Sequence, residues 1–315
     1  MADSRPGLVA LVVTCNRLAQ LQVTLARLLA APAADLAAVL VVDNASQDGS
    51  GAWLAAQADP RLQVLTLPEN RGGAGGFEAG LRHVRRTLDP DWVLLMDDDA
   101  RPEPGALAAF RARPRSGCEA WLAAVRHPDG RICEMNRPWV NPFWAPAVLW
   151  RSLRAGRAGF HLPDAAYAAA APRPVDGGSF VGLFLSRQGQ ALAGLPDGRL
   201  FLYGDDVLYT LRLRAAGGRI AFDPGLRFEH DSATFGQGAA LRPLWKAYYY
   251  HRNQILVYRQ AAGGLLIWPV LLWKYLAWRR GARAYGAERA AFLRLLNRAV
   301  ADAVRRRYRG PPGTG

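Results

Sequence analysis

An α/β fold on a mostly parallel central sheet, with a helical C-terminal extension, is what this sequence predicts, and three observations predict it. Short β-branched apolar runs alternate with helical leucine spacings through the first hundred residues. Polar motifs follow several of those runs, at what would be one edge of a sheet. After Pro243 the chain becomes helical and strongly basic.

Leu8–Thr14 is a short apolar run of the kind buried on both faces of a parallel sheet. Arg17–Ala31 carries leucines at 18, 21, 25, 28 and 29, a helical spacing closed by Pro32. Val39–Val42 is a second strand ending at Asp43-Asn44, and Ser46–Ala56 a helix entered through polar capping residues. Leu62–Leu67 is a third strand, followed by a glycine-rich loop over Asn70–Gly76. Phe77–Leu88 is helical, and Trp92–Met96 is a strand running into Asp97. Such alternation builds right-handed crossovers with helices on both faces, and ligands then bind beyond the carboxyl ends of the strands. Thr14-Cys15-Asn16, Asp43-Asn44, Asn70–Gly76 and Asp97–Asp99 all fall there. From Arg111 to Pro174 the pattern weakens into Pro and aromatic residues, an expected substrate-facing region. Val175–Ser186 is apolar, and Asp205–Ala216 reads as a helix.

The 315 residues are half hydrophobic and 21% charged, which excludes a disordered chain apart from a loose tail at Gly310–Gly315. The N-terminal residues lack a basic segment followed by an apolar run, so no secretory signal is expected. Cys15, Cys118 and Cys133 form no metal-site spacing and cannot all pair, in keeping with a reduced cytoplasmic compartment. Of the net charge of +14, nearly all lies after residue 240, where fifteen Lys and Arg face only Glu288 and Asp302. The expected division is a catalytic domain over 1–240, with halves at about 8–110 and 111–240, and a basic amphipathic region over 241–315.

Alternate side chains of an extended chain share a face, so Asp97 and Asp99 project together and Asp98 away. Two neighbouring carboxylates repel unless a cation or proton separates them, and hard oxygen ligands suit Mg²⁺ or Mn²⁺. The same triplet also reads as a solvated turn capping the next helix. The stretch Asn70-Arg71-Gly72-Gly73-Ala74-Gly75-Gly76-Phe77 fails the dinucleotide fingerprint, since Glu78 stands where the last glycine is required and it follows the third strand. Its glycines serve either close approach to a ligand or packing of a helix on the sheet.

Together, Val12–Arg17, Val41–Ser46, Asn70–Phe77 and Met96–Asp99 resemble the family-2 glycosyltransferases of GT-A (Rossmann-like, nucleotide-diphospho-sugar transferase) fold. The glycine stretch and the triple aspartate are similar to those of bacterial galactofuranosyltransferases and rhamnosyltransferases. The resemblance continues through Phe201–Asp206, His230 and Tyr248–Asn253, covering about residues 8 to 260. It implies a nucleotide-sugar pocket formed by Thr14, Asn16, Arg17, Asp43, Asn44, Asn70, Gly73, Asp97 and Asp98. It implies a Mn²⁺ or Mg²⁺ ion on Asp97, Asp99 and His230, and Asp206 as general base. Judged alone, His230 reads as a surface histidine. A carboxylate at a helix N-terminus is favoured by the dipole, and Asp205 is the expected cap, leaving Asp206 free. One base and no enzyme nucleophile make a single inverting displacement.

The implied activity moves galactofuranose or rhamnose from a UDP- or dTDP-sugar to a lipid-linked or polysaccharide acceptor in the cell envelope. The apolar run Leu265–Leu272, interrupted by Pro269 and flanked by Trp273, Lys274, Tyr275, Trp278, Arg279 and Arg280, is too short to span a bilayer. It suggests a helix lying on an anionic membrane, peripheral on its inner face. Two helices packed on the domain, or a homo-oligomer contact, read the same residues differently. No nucleic-acid motif accompanies the charge, so nucleic acid is not an expected partner. A sugar nucleotidyltransferase is the alternative enzyme, though Val13–Leu18 lacks the basic glycine-rich loop a triphosphate needs. A non-catalytic, membrane-associated nucleotide-sugar-binding module is the non-enzymatic alternative.

Overall fold

The computed structural model describes residues 6–231, 240–264, 266–308 and 310. The chain opens with β1 (Leu8–Thr14), α1 (Leu18–Leu29), β2 (Ala38–Asp43), α2 (Ser50–Ala55) and β3 (Leu62–Thr66). It continues through α3 (Gly72–Thr87), β4 (Trp92–Asp97), β5 (Ala100–Pro102) and α4 (Ala106–Ala112). The segment without a clear sequence pattern holds β6 (Ala120–Arg126), α5 (Pro146–Ala155), α6 (Asp164–Tyr167) and β7 (Arg173–Val175). Then come β8 (Leu183–Ser186), α7 (Arg187–Ala193), α8 (Asp205–Ala215) and β9 (Ile220–His230). The C-terminal helices are α9 (Trp245–Ala262), α10 (Ile267–Gly281) and α11 (Arg289–Val304).

The strands join one sheet in the order β3-β2-β1-β4-β8-β6-β9-β5, with β7 also on β9. The first four strands are all parallel; β8 enters antiparallel between β4 and β6, and β6 runs parallel to β9. Every residue of β1 and β2 is buried, which explains their unbroken β-branched runs. Alternation divides them between two cores. Leu11 and Val13 face Phe77, Leu81 and Val84 of α3, whereas Ala10 and Val12 face Leu21, Leu25 and Leu28 of α1. In register, Thr14 lies opposite Asp43 and Val13 opposite Asp97, so the polar motifs share one edge.

Three local expectations are corrected. The glycine stretch is not a loop: α3 begins at Gly72, and residues 72–76 form its first turns. Low helix propensity is overridden by fit, because a Cβ at Gly76 would collide with Val13 and one at Gly80 with Leu11 and Val42. We expect Gly80→Ala to lose about 1–3 kcal/mol through overpacking, measured by chemical denaturation. Next, α2 starts at Ser50 rather than Ser46, because the Asp43 and Asp48 carboxylates take the backbone N–H groups of Ser46 (2.9 Å) and Ser50 (3.1 Å) in preceding turns. Finally, Pro269 does not interrupt its apolar run. It lies in the first turn of α10, where no intrahelical N–H is required.

The C-terminal helices are tied to the sheet domain rather than appended to it. Tyr248 of α9 donates to Asp302 of α11 (2.8 Å), and Tyr249 stacks on Phe201 with ring centroids 4.8 Å apart. No helix among the described residues is long and apolar enough to cross a membrane. Leu265, which begins the apolar run, and residues 311–315 of the expected tail lie outside the described residues.

Candidate active site

The end of β4 delivers Asp97 to the carboxyl edge, and the chain turns through Asp98-Asp99 into β5. Antiparallel pairing of β5 with β9 sets Ala100 opposite His230, and Asp231 N donates to the Asp99 carbonyl (2.9 Å). That register, linking residues 131 apart, brings His230 Nε2 to 3.0 Å from Asp99 Oδ1. One ligand atom each from Asp97, Asp99 and His230 lies within 4.8 Å of the others. His230 is therefore a buried site residue, not the surface histidine its isolated sequence suggests.

The electrostatics of this group fit a cation. Burial and the charge of Asp99 push the Asp97 carboxyl up to about 7. Burial acts to raise Asp99 as well, yet the His230 hydrogen bond and the charges of His230 and Arg17 hold it below the usual range. Burial acts to lower His230, but the bond to Asp99 and the contact with Cys133 carry it up to about 10. The amide of Asn136 donates to Ser179 Oγ (2.8 Å), so its oxygen faces His230 Nδ1 at 2.8 Å. Nδ1 thus donates to Asn136, and Nε2 of the imidazolium donates to Asp99, so a cation taking its place would displace the Nε2 proton. This hydrogen-bonded support of an imidazole is what a metal-ligating histidine needs.

Asp98 points the other way, although 98–99 form a turn between β4 and β5 rather than the extended chain on which alternation was expected. Its carboxylate accepts from Thr14 Oγ1 (2.7 Å) and from Arg17 (3.4 Å), and Thr24 of α1 donates to its carbonyl (2.7 Å). Asp98 thus holds the turn, while Arg17 also ion-pairs with Asp99 and remains 40% exposed at the mouth. Asn16 and Arg17 line an open cleft of about 400 Å³ together with Gln20, Asp48 and Asp231. Asn16 has left-handed backbone and accepts from Gln47 N (2.6 Å), which fixes that rim.

Across the edge, Asp43 is buried at the end of β2, its Oδ1 bonded to Ser46 N. The Asn44 side chain is fully spent on the entry to α3. It donates to Gly72 O (2.9 Å) and Asn70 Oδ1 (3.2 Å) and accepts from Arg71 N (2.9 Å). Asn44 therefore positions α3, while its backbone N–H donates to the Thr14 carbonyl (2.9 Å). Gly73 is the glycine of this stretch with open space around a Cβ position, so a ligand can approach the backbone there.

The first turn of α8 holds Asp205 and Asp206, but Asp205 does not cap it. The N-cap is Gly204 in left-handed conformation, and Asp206 Oδ1 takes the N–H of Val207 (2.7 Å). Burial lifts Asp206 to about 6 against that hydrogen bond, and the negative charge of Asp206 in turn raises Asp97. Asp206 therefore lies within electrostatic reach of the Asp97–Asp99–His230 group.

Arg252 and Asn253, which the resemblance takes in without a role, are supports. Asn253 of α9 donates to the carbonyls of Leu200 (3.0 Å), Leu202 (2.8 Å) and Tyr203 (2.8 Å), and Arg252 to Leu200 (2.8 Å). They hold the segment before Asp206, where Phe201 and Tyr203 have positive φ. Asn253→Ala should cost about 1–3 kcal/mol by leaving buried carbonyls unpaired, read from the denaturation midpoint, and should lower activity further by releasing that segment.

Comparison with known proteins follows from this geometry. The glycosyl transferase family 2 model matches residues 9–139. Galactofuranosyltransferase GlfT1 of Mycolicibacterium smegmatis is 27% identical over 180 residues, 57% of this chain and 56% of that protein. Undecaprenyl-phosphate mannosyltransferase of Micrococcus luteus is 30% identical over 177 residues, 53% of this chain and 68% of that protein. The chain thus spans about half the length of the galactofuranosyltransferase it matches. Among solved structures, mannosyltransferase PcManGT from Pyrobaculum calidifontis, in complex with GDP-Man and Mn²⁺, superimposes with a TM-score of 0.57 at 20% identity, covering 96% of this chain and 81% of that one.

Proposed function

The chain belongs to glycosyl transferase family 2 and has the GT-A fold, and from that premise we propose that it transfers a sugar with inversion from a UDP- or dTDP-linked donor to a lipid-linked or polysaccharide acceptor of the cell envelope. Galactofuranose and rhamnose are the sugars favoured by the glycine stretch and the triple aspartate. The name of the mannosyltransferase relative supports a polyprenyl-linked acceptor. The observation that carries the reading is the convergence of Asp97, Asp99 and His230 on one point, with Asp206 close enough for its charge to be felt there.

Asp97, Asp99 and His230 would hold Mn²⁺ or Mg²⁺ once Nε2 gives up its proton, and Asn136 accepts from Nδ1 and so keeps Nε2 turned to the carboxylates. When bound, such a cation neutralises charge developing on the leaving diphosphate. Arg17 brings a guanidinium to the same mouth, and Thr14, Asn16, Asp43, Asn70 and Gly73 border the donor's path. Asp206, raised to about 6 and so largely ionised at neutral pH, accepts the proton of the attacking acceptor hydroxyl. With Asp206 as base and the acceptor attacking opposite the leaving diphosphate, one displacement inverts the anomeric centre. The catalytic unit spans 1–240, with α9 bracing it, and the basic C-terminal helices rest peripherally on the inner face of the membrane.

Thermal unfolding with UDP- and dTDP-sugars, with and without Mn²⁺, tests this reading, since a bound donor raises stability by mass action. One donor series should stabilise the protein only with the cation present; equal stabilisation in chelator, or a product with retained anomeric configuration, overturns it. Asn136→Ala should weaken Mn²⁺ binding roughly 10- to 100-fold in the same assay, with the unfolding temperature of the cation-free protein nearly unchanged.

A further inference from the structure

The four tryptophans exposed among the described residues fall on two segments far apart in sequence. Trp144 and Trp150, with Leu153, belong to α5 and its approach; Trp150 is 61% and Leu153 68% exposed. Trp268 and Trp273, with Leu272, belong to α10, where both Leu272 and Trp273 are 61% exposed. Neither 144–160 nor 266–287 contains an acid, while Arg151, Arg154 and Arg157 in the first and Lys274, Arg279 and Arg280 in the second carry positive charge.

The fold brings these segments to the same end of α9. Asn141, just before the α5 segment, donates to the carbonyl of Ala261 in the last turn of α9 (3.0 Å), and Phe143 and Phe160 pack against Val257 and Ala261. From that same end the chain turns through Gly263 into α10. The Lys274 ammonium lies 5.3 Å from the Tyr258 ring of α9 and 4.6 Å from the Trp273 ring. Burial, and after it the nearby Arg157 guanidinium, push the Lys274 amine down. Arg157 and Lys274, from different segments, are therefore within electrostatic reach of each other, and the exposed Trp273 lies beside Lys274. Tyr250 of α9 meets Tyr203, ahead of Asp206, with ring centroids 5.9 Å apart.

We propose that α5 and α10 together form the seat by which this protein rests on an anionic lipid bilayer, next to the segment that carries Asp206. Indole and leucine side chains would enter the interface while arginine and lysine meet lipid phosphates. The inference rests on the membrane-surface part of the function proposed above and adds α5, which lies in the Arg111–Pro174 segment expected from sequence to face substrate. Charge selects the occupant: a second copy would bring the same cations face to face, whereas an anionic surface neutralises both sets.

Sedimentation of the full chain with vesicles of phosphatidylcholine, with or without phosphatidylglycerol, tests it on three proteins. The unmodified chain should bind only the anionic vesicles. Trp150→Ser/Leu153→Ser and Trp268→Ser/Trp273→Ser should each bind at least about tenfold more weakly, with unchanged unfolding temperature and donor hydrolysis. If the α10 variant loses binding and the α5 variant keeps it, the α5 seat is wrong and membrane attachment stands. If the unmodified chain ignores both vesicles, the membrane reading itself fails. A dimer in solution that the α5 variant dissolves, with vesicle binding intact, assigns this face to a second copy and overturns the proposal. Brominated lipid gives a second readout on conservatively altered chains. Its quenching of tryptophan emission should fall in both Trp150→Phe and Trp273→Phe, and no change in Trp150→Phe counts against α5.

Discussion

Asp206→Asn is expected to lower kcat about 10³-fold, within the range for loss of a general base, while the apparent affinity for donor stays within a factor of a few. An amide at this position keeps the shape of the first turn of α8 and can still accept from Val207 N, so the helix should remain folded. What it cannot do is take a proton from the acceptor. The pH profile follows from the same carboxyl. Burial raises Asp206 to about 6, so the ionised, proton-accepting form dominates above that pH and is lost below it. With saturating donor and cation, kcat should therefore fall tenfold per pH unit on the acid side of about 6, and Asp206→Asn should flatten that limb. Full turnover by the variant would remove Asp206 from the chemistry.

Asp99→Asn should be nearly as damaging, through a different step. Asp99 is the member of the acidic group in contact with both His230 and Arg17, so its charge balances two partners at once. Losing that charge weakens the cation's hold and leaves Arg17 paired with Asp98 alone. We expect Mn²⁺ affinity to drop by more than about 100-fold, beyond what loss of a supporting hydrogen bond causes, with activity partly restored at high Mn²⁺. Asp98→Asn should differ in kind. Asp98 accepts from Thr14 and Arg17 and braces the turn, so its loss should affect stability more than metal affinity. Metal titrations on the two variants separate these outcomes.

Much of this site was legible because strand geometry is strict. The β-branched runs at Leu8–Thr14 and Val39–Val42 locate the carboxyl edge, whereas the turn at Asp98-Asp99 into β5, not extended alternation, sets Asp98 apart from Asp97 and Asp99. Other features were illegible for definite reasons. A glycine run has low helix propensity, and only contact of Gly76 and Gly80 with Val13, Leu11 and Val42 makes it the start of α3. The capping expected of Asp205 fails because a left-handed glycine already turns the chain into α8. Asn136 and Asn253 lie in an irregular segment and on a helix whose pattern reports packing, so nothing periodic marks their hydrogen bonds to His230 and to the Leu200–Tyr203 carbonyls. The sugar nucleotidyltransferase alternative, weighed on the missing basic loop, gives way to family 2 membership.

The central claim is that Asp97, Asp99 and His230 form one cation centre that carries the donor diphosphate. Anomalous scattering from crystals grown with Mn²⁺ and UDP or dTDP tests it most directly. One strong peak between the three side chains and the diphosphate is expected. A peak held elsewhere, or nucleotide bound at full occupancy with no peak between Asp97, Asp99 and His230, would contradict it.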